Sequence, residues 1–306
     1  MALTKEEIES KLINNDSLFN SIHVIQQNFD IIPDDKPHIG ASIAYQDLQE
    51  LRDNFVNDLF DTITDWVYSS EKYSELLKAE IKQGKSSAAA SSAVQRKARD
   101  KFRKKDNSDK LLIQGQLGEL MLFHFIQRYM KAIPLLRKMK ITTSNRIERF
   151  GADAIHYKKE NNDNIIILGE AKTYTSKYKF DDAFSESISS ILSSYDNFRT
   201  ELGLYTHEDF LDEELDLVAE QFLNNTLENT RIELVCIVTY HETKKLRITN
   251  QNDIHKQIED ILKSRFKSYD NRLIDIEGKP ILNRITYIVF PIWDLDKLAK
   301  KFQDMI

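Results

Sequence analysis

An α/β protein, with a central mixed β-sheet flanked by helices and an α-helical N-terminal extension, is the fold class this sequence predicts. Three observations carry the expectation. From about residue 109 onward, apolar runs of strand length alternate with amphipathic stretches of helical period. The first 105 residues or so carry helical spacing instead. Glycine and proline are sparse, 8 and 5 in 306 residues, which excludes collagenous and low-complexity readings.

The elements follow in order. Over 44–68, Leu48, Leu51, Phe55, Leu59, Ile63 and Trp66 recur at spacings of three and four, an amphipathic helix after the breaks at Pro33 and Pro37. The small, polar stretch 83–92 is either a linker or the start of a helix running to 105, and its alanines favour the helix. Residues 111–130 are strongly helical, with Ser108 or Asp109 as cap. Strands are expected at 135–143, 151–157 and 165–172, the last two joined by Asn- and Asp-rich turn chemistry at 161–164. A helix at 181–198, a strand at 232–240, a helix at 252–266, a strand at 285–292 and a terminal helix after Trp293 complete the chain. Such mixing implies a mixed sheet between helical layers. The expected division is a helical region, 1–105, and an α/β domain, 106–306.

Composition narrows the function. Cys236 is the single cysteine and lies in an apolar run, so disulfide scaffolds and Cys-based zinc sites are excluded. The N-terminus is too charged for a signal peptide, and no apolar run approaches membrane-spanning length, so a cytoplasmic protein with no membrane partner is expected. The net charge of −6 hides an uneven distribution. Between Arg96 and Arg149, 15 Lys and Arg stand against 5 Asp and Glu. A basic block in an acidic chain points to a polyanion. Arg96, Lys97, Arg99, Lys101, Arg103 and Lys104 are the candidate DNA-backbone contacts; an acidic partner surface or plain solvation is the competing use. The acidic stretch 208–220 is expected to face solvent or a basic partner.

The chemistry concentrates in one strand. Ile165-Ile166-Ile167-Leu168 runs into Gly169-Glu170-Ala171-Lys172, and side chains two apart on a strand share a face. Glu-x-Lys occurs five times in the chain, and only Glu242/Lys244 also follows an apolar strand. That pair lacks a carboxylate on a strand just upstream, whereas Asp153 opens the strand before Glu170. If those strands form a hairpin, two carboxylates come together and repel unless a cation lies between them. Upstream, Gly115 and Gly118 sit in a helical run, each destabilising by roughly 1 kcal/mol unless close packing needs them. Such packing would bring Glu119 towards the strand ends; the alternative is an exposed helix charge. Glu119, Asp153 and Glu170 are oxygen ligands suited to Mg²⁺ or Mn²⁺. Lys172 could orient or deprotonate a water, or neutralise charge on a phosphate.

The series Glu119, Gly151-Ala152-Asp153 and Gly169-Glu170-Ala171-Lys172, on helix, strand and strand, resembles the PD-(D/E)xK nuclease superfamily over about residues 109 to 240. Ala152 stands where that motif often has proline. The resemblance implies a restriction-endonuclease-like core, with Asp153 and Glu170 as metal ligands, Lys172 as catalytic lysine and Glu119 as a supporting acid. Residues 151–156 and 168–174 are also similar to the nuclease subunit of the bacterial Hachiman anti-phage defence system. That likeness implies a metal-dependent deoxyribonuclease acting beside a superfamily 2 helicase. The alternative is a non-catalytic nucleic-acid- or partner-binding subunit on a nuclease-like fold.

Other chemistries are set aside. Gly84-Lys85-Ser86 lacks the first glycine of a phosphate-binding loop, Ala79 standing in its place, and a helix precedes it, so no nucleotide cofactor is expected. The seven histidines are scattered, and His156 is expected to face away from Asp153. No Gly-x-Ser-x-Gly elbow supports a serine nucleophile.

Overall fold

The computed structural model describes residues 3–102, 114–136, 151–177, 179–205 and 213–306. Its strands are β1 (Ile22–Gln27), β2 (His38–Ile43), β3 (Tyr45–Gln46), β4 (Gln49–Glu50), β5 (Ile133–Leu136), β6 (Ala154–Glu160), β7 (Asp163–Tyr174), β8 (Thr230–His241) and β9 (Ile285–Ile292). All but β3 and β4 form one seven-stranded mixed sheet, ordered β1-β2-β9-β8-β7-β6-β5. The four strands β2, β9, β8 and β7 are parallel neighbours. At the two ends β1, and then β6 and β5, pair antiparallel.

Helices cover both faces. They are α1 (Lys5–Ser10), α2 (Asp16–Asn20), α3 (Arg52–Asp61), α4 (Ile63–Val67), α5 (Ser70–Lys82), α6 (Ser87–Phe102), α7 (Gln114–Phe125), α8 (Phe180–Tyr205), α9 (Glu213–Leu223), α10 (Gln251–Ser268) and α11 (Leu295–Met305). Phe184 of α8, Val218 of α9 and Leu262 of α10 share one core with Ile166 and Leu168. Phe55 of α3, Trp66 of α4, Leu120 of α7 and Phe302 of α11 share the other with Ile165 and Ile167. The unbroken apolar run of β7 therefore feeds two cores in alternation, as a strand covered on both faces must. None of the described helices is long and apolar enough to cross a membrane.

The expected α/β class and the N-terminal helices are present, but the first 105 residues are not helical throughout. β1 and β2 belong to the main sheet, with Ile39 and Gly40 paired to Ile288 and Val289. Every residue of β2 is buried, and its short His-Ile-Gly-Ala-Ser-Ile run, broken by Gly40, is a weak strand signal. The helix expected over 44–68 begins only at Arg52. Asp47 and Leu48 adopt positive φ, 51° and 64°, in a two-residue hairpin turn between β3 and β4. Leu48, counted in the apolar stripe, is 40% exposed. Over 83–92, Gly84 at φ 92° separates α5 from α6. β5 begins at Ile133 and includes Pro134, tolerated because β5 is an edge strand; 137–143 of the expected strand lies outside the described residues. The 105/106 boundary also falls outside them. The 161–164 turn is a two-residue hairpin through Asn161 and Asn162, which pairs Glu160 with Asp163. Within and just beyond the acidic stretch, α9 buries Leu215, Val218, Ala219 and Phe222.

Two polar groups fasten the sheet. His38 is fully buried where β2 meets β9: Tyr287 N–H donates to its Nδ1 at 3.2 Å, and its Nε2 donates to Pro33 O at 2.8 Å. Burial pushes this imidazole down to about 4. Glu242, just past β8, has a side chain with 0% exposure. It accepts from Arg265 at 2.7 and 3.1 Å, from Tyr240 OH at 3.0 Å, and from the Thr243 and Lys244 amides at 2.7 and 2.8 Å. Burial alone would push its carboxyl up, but Arg265 and these donors hold it below the ordinary carboxylate value.

Three stability measurements test this account. Unfolded His38 takes up its proton near pH 6.5 and folded His38 only near 4. Urea unfolding should therefore show stability complete above pH 6.5 and falling towards pH 4, by on the order of 3 kcal/mol from this group. His38→Gln should shrink that loss, and an unchanged pH slope would refute the assignment. Glu242→Gln, which strips Arg265 of its charged partner, should lower stability by about 3 kcal/mol. A Cβ at Gly118 would lie 2.4 Å from Thr173 Oγ1, whereas one at Gly115 meets no described atom within 4 Å. Gly118→Ala should destabilise by about 1–3 kcal/mol, and Gly115→Ala should stabilise by up to about 1 kcal/mol.

Candidate active site

The site forms where β6 and β7 leave their shared ladder. Ala154 pairs with Gly169, so Asp153, one residue earlier, stands opposite Glu170. Asp153 N–H donates to Gly169 O at 2.8 Å, and Asp153 Oδ2 accepts from the Ala171 N–H at 2.9 Å. That amide lies between Glu170 and Lys172 in the chain, so the Asp153 carboxylate is held directly at the Glu-x-Lys step. The strand period puts Asp153, Glu170, Lys172 and Tyr174 on one face, towards α8. Cys236, beside Glu170 in the β7/β8 register, lies on that face, and its thiol donates to Ser187 O at 3.6 Å. Burial pushes the Cys236 thiol far up, with Glu170 and Asp153 adding to the effect, so both carboxylates lie within electrostatic reach of one sulfur.

Lys172 Nζ is 3.0 Å from Glu170 Oε1 and 3.8 Å from Glu186 Oε1 of α8. Burial would push this ammonium down, but Glu170, then Asp153 and Glu186, outweigh it and hold its pKa above the ordinary lysine value. The lysine is thus a fixed positive charge beside two carboxylates. Tyr174 OH donates to Glu186 Oε2. Glu186 lies outside both motif stretches, and Tyr174 closes the 168–174 stretch without a role assigned to it. Tyr174 continues the period-two row of Glu170 and Lys172, which is a usable signal. Glu186 meets the row only through the turn between β7 and α8, and no local spacing announces it.

Glu119 is placed differently. It lies half-buried on α7, which packs on the other face of β7. A Cβ at Gly118 would also meet Ala171 Cβ at 3.4 Å, and one at Gly169 would meet Leu122 Cδ2 at 2.9 Å. Close helix–strand packing is therefore the reason for Gly118, and not for Gly115. His156 also faces α7, its ring 5.6 Å from that of Phe123, as expected for a residue pointing away from Asp153. Among the described residues, no three His, Cys, Asp or Glu side chains form a group that could hold a metal ion. Asp153 and Glu170 fit a divalent cation as a pair of oxygen donors, since Mg²⁺ commonly takes one or two carboxylates and fills its shell with water and phosphate oxygens.

The basic helix is not positive all round. α6 buries Ala90, Ala93, Val94 and Ala98. Lys97 and Lys85 both bond the buried Glu80 of α5. The Arg99 guanidinium lies 4.2 Å over the Phe60 ring, and Lys101 Nζ lies 4.9 Å over Tyr68. Arg96 is exposed, and Arg103 and Lys104 lie outside the described residues. In the rival Glu242/Lys244 pair, Glu242 is the buried clasp described above and offers no open carboxylate, while Lys244 is exposed.

No curated protein matches the chain. Among models of known families, that of HamA matches residues 16–306. A match over nearly the whole chain settles the family: the protein belongs to HamA, a component of the Hachiman anti-phage defence system.

Proposed function

We propose that this HamA-family chain is a metal-dependent nuclease that hydrolyses DNA phosphodiesters, as the effector of the defence system and alongside a superfamily 2 helicase. The observation that carries the reading is the Asp153–Glu170–Lys172 constellation, two carboxylates and an ammonium on one face at the end of buried strands. In this reading Asp153 and Glu170 hold Mg²⁺ or Mn²⁺, which when bound supplies Lewis-acid activation of water and phosphate. Lys172, in contact with Glu170, orients or deprotonates the attacking water, or neutralises negative charge on the phosphate. Glu119, on the helix against the opposite face, serves as an outer supporting acid. Arg96, Lys97 and Lys101, the exposed cations of α6 among the described residues, are the DNA-backbone contacts.

A second reading is favoured by one observation, that Glu170 is already paired with Lys172 at 3.0 Å, as in a structural ion-pair network. It makes the chain a nucleic-acid- or partner-binding subunit that does not cut.

Linear and supercoiled DNA, incubated with the full chain in Mg²⁺ or EDTA, separate the two. The nuclease reading expects cleavage only with metal. Lys172→Ala, Glu170→Ala and Asp153→Ala should each lower it at least about 100-fold without unfolding the protein. Cleavage undiminished in all three would refute the site. DNA binding of equal strength with and without Mg²⁺, and no cutting even beside the helicase, would establish the second reading.

A further inference from the structure

We propose that Glu186 is a positioning residue, a second anchor that holds the Lys172 ammonium in place when Glu170 carries a divalent cation. The inference rests on the cation-binding reading of Asp153 and Glu170.

In the structure Lys172 stands between two carboxylates of different character. Glu170 is on its own strand, with a side chain only 7% exposed, and contacts Nζ at 3.0 Å. Glu186 comes from α8, is 51% exposed, and contacts the same nitrogen at 3.8 Å. Its other oxygen accepts from Tyr174 OH, so its carboxylate is braced from the strand that carries Lys172. An unbraced surface pair at that distance would contribute little, because two mobile side chains lose entropy to hold one geometry. Here the tyrosine orders the acid, and the lysine is already half-buried.

The need for a second anchor follows from charge. Glu170 cannot serve a dication and an ammonium equally, and a dication on Glu170 repels Lys172. With Glu170 as its only partner, the lysine would either compete with the cation or swing away from the site. A second carboxylate on Nζ, attached to another element, removes that conflict. Glu186 therefore acts through Lys172, and has no direct part in the chemistry.

Isothermal titration of Mn²⁺ into the full chain, without nucleic acid, tests this with wild type, Glu186→Gln, Lys172→Met and the double variant. Glu186→Gln should weaken Mn²⁺ binding about tenfold, a coupling of the size that contacting charged groups show. In the Lys172→Met background the same change should alter affinity by less than about threefold, because the intermediary is gone. Tyr174→Phe, which keeps Glu186 but removes its brace, should weaken binding in the same direction and by less. An equal loss from Glu186→Gln in both backgrounds would overturn the proposal, since the acid would then act by general attraction alone. Mn²⁺ binding indifferent to Glu186 would overturn it as well and leave the nuclease reading standing. Failure of wild type to bind Mn²⁺ at millimolar concentration would remove both.

Discussion

The register of β7 is the constraint on which the rest depends. This strand is fed by an antiparallel partner on one side and a parallel one on the other, and both its faces are covered. Slipping it by one residue would move Glu170 and Lys172 onto the α7 face and drive Ala171 and Thr173 towards α8. Two features pin it. Gly169 and Gly118 leave room only for small contacts between α7 and β7, so the small residues of the strand must face that helix. The Asp153 carboxylate then bonds the Ala171 amide, extending the β6–β7 pairing by a side chain where the backbone ladder stops. The candidate site is thus part of what sets the register, and its acid is positioned by the same bond.

The two strand-borne Glu-x-Lys sequences show how context decides the use of a motif. Glu242 is enclosed by Arg265, Tyr240 and two backbone amides, and every lone pair facing the interior has a donor. It is a clasp between the end of β8 and α10. Glu170 shares its face with a second carboxylate and leans on a lysine that Glu186 also contacts. One arrangement is closed electrostatically, while the other gathers carboxylates around a single ammonium.

Much of this was legible in the amino-acid order. β9 occupies the residues expected, 285–292, and the β6–β7 hairpin turns at its asparagines. Asp153, Glu170 and Lys172 converge as strand alternation requires. Legibility failed where tertiary contacts override local pattern. β2 reads as nothing in particular because it is buried on both sides and carries Gly40, where a Cβ would lie 2.6 Å from Leu262 Cδ1 of a helix some 200 residues later. The stripe through Leu48 and Leu51 mimicked a helix, yet positive φ at Asp47 and Leu48 turns the chain there. The charge of α6 was visible, but not that Glu80, Phe60 and Tyr68 engage much of it.

The strand order has a consequence for how the molecule is made. β2 finds its parallel neighbour in β9, and the His38–Tyr287 bond that seals them joins residues 249 apart. At ribosomal speeds of about 5–20 residues per second, the β1–β2 hairpin waits on the order of 10–50 s for its partner to be synthesised. Throughout that interval β2 is paired with β1 alone, and its other edge stays open, the kind of edge that invites wrong pairing. The last strand to emerge is the one that closes the sheet, so a chain cut short before β9 leaves its first two strands without their seat.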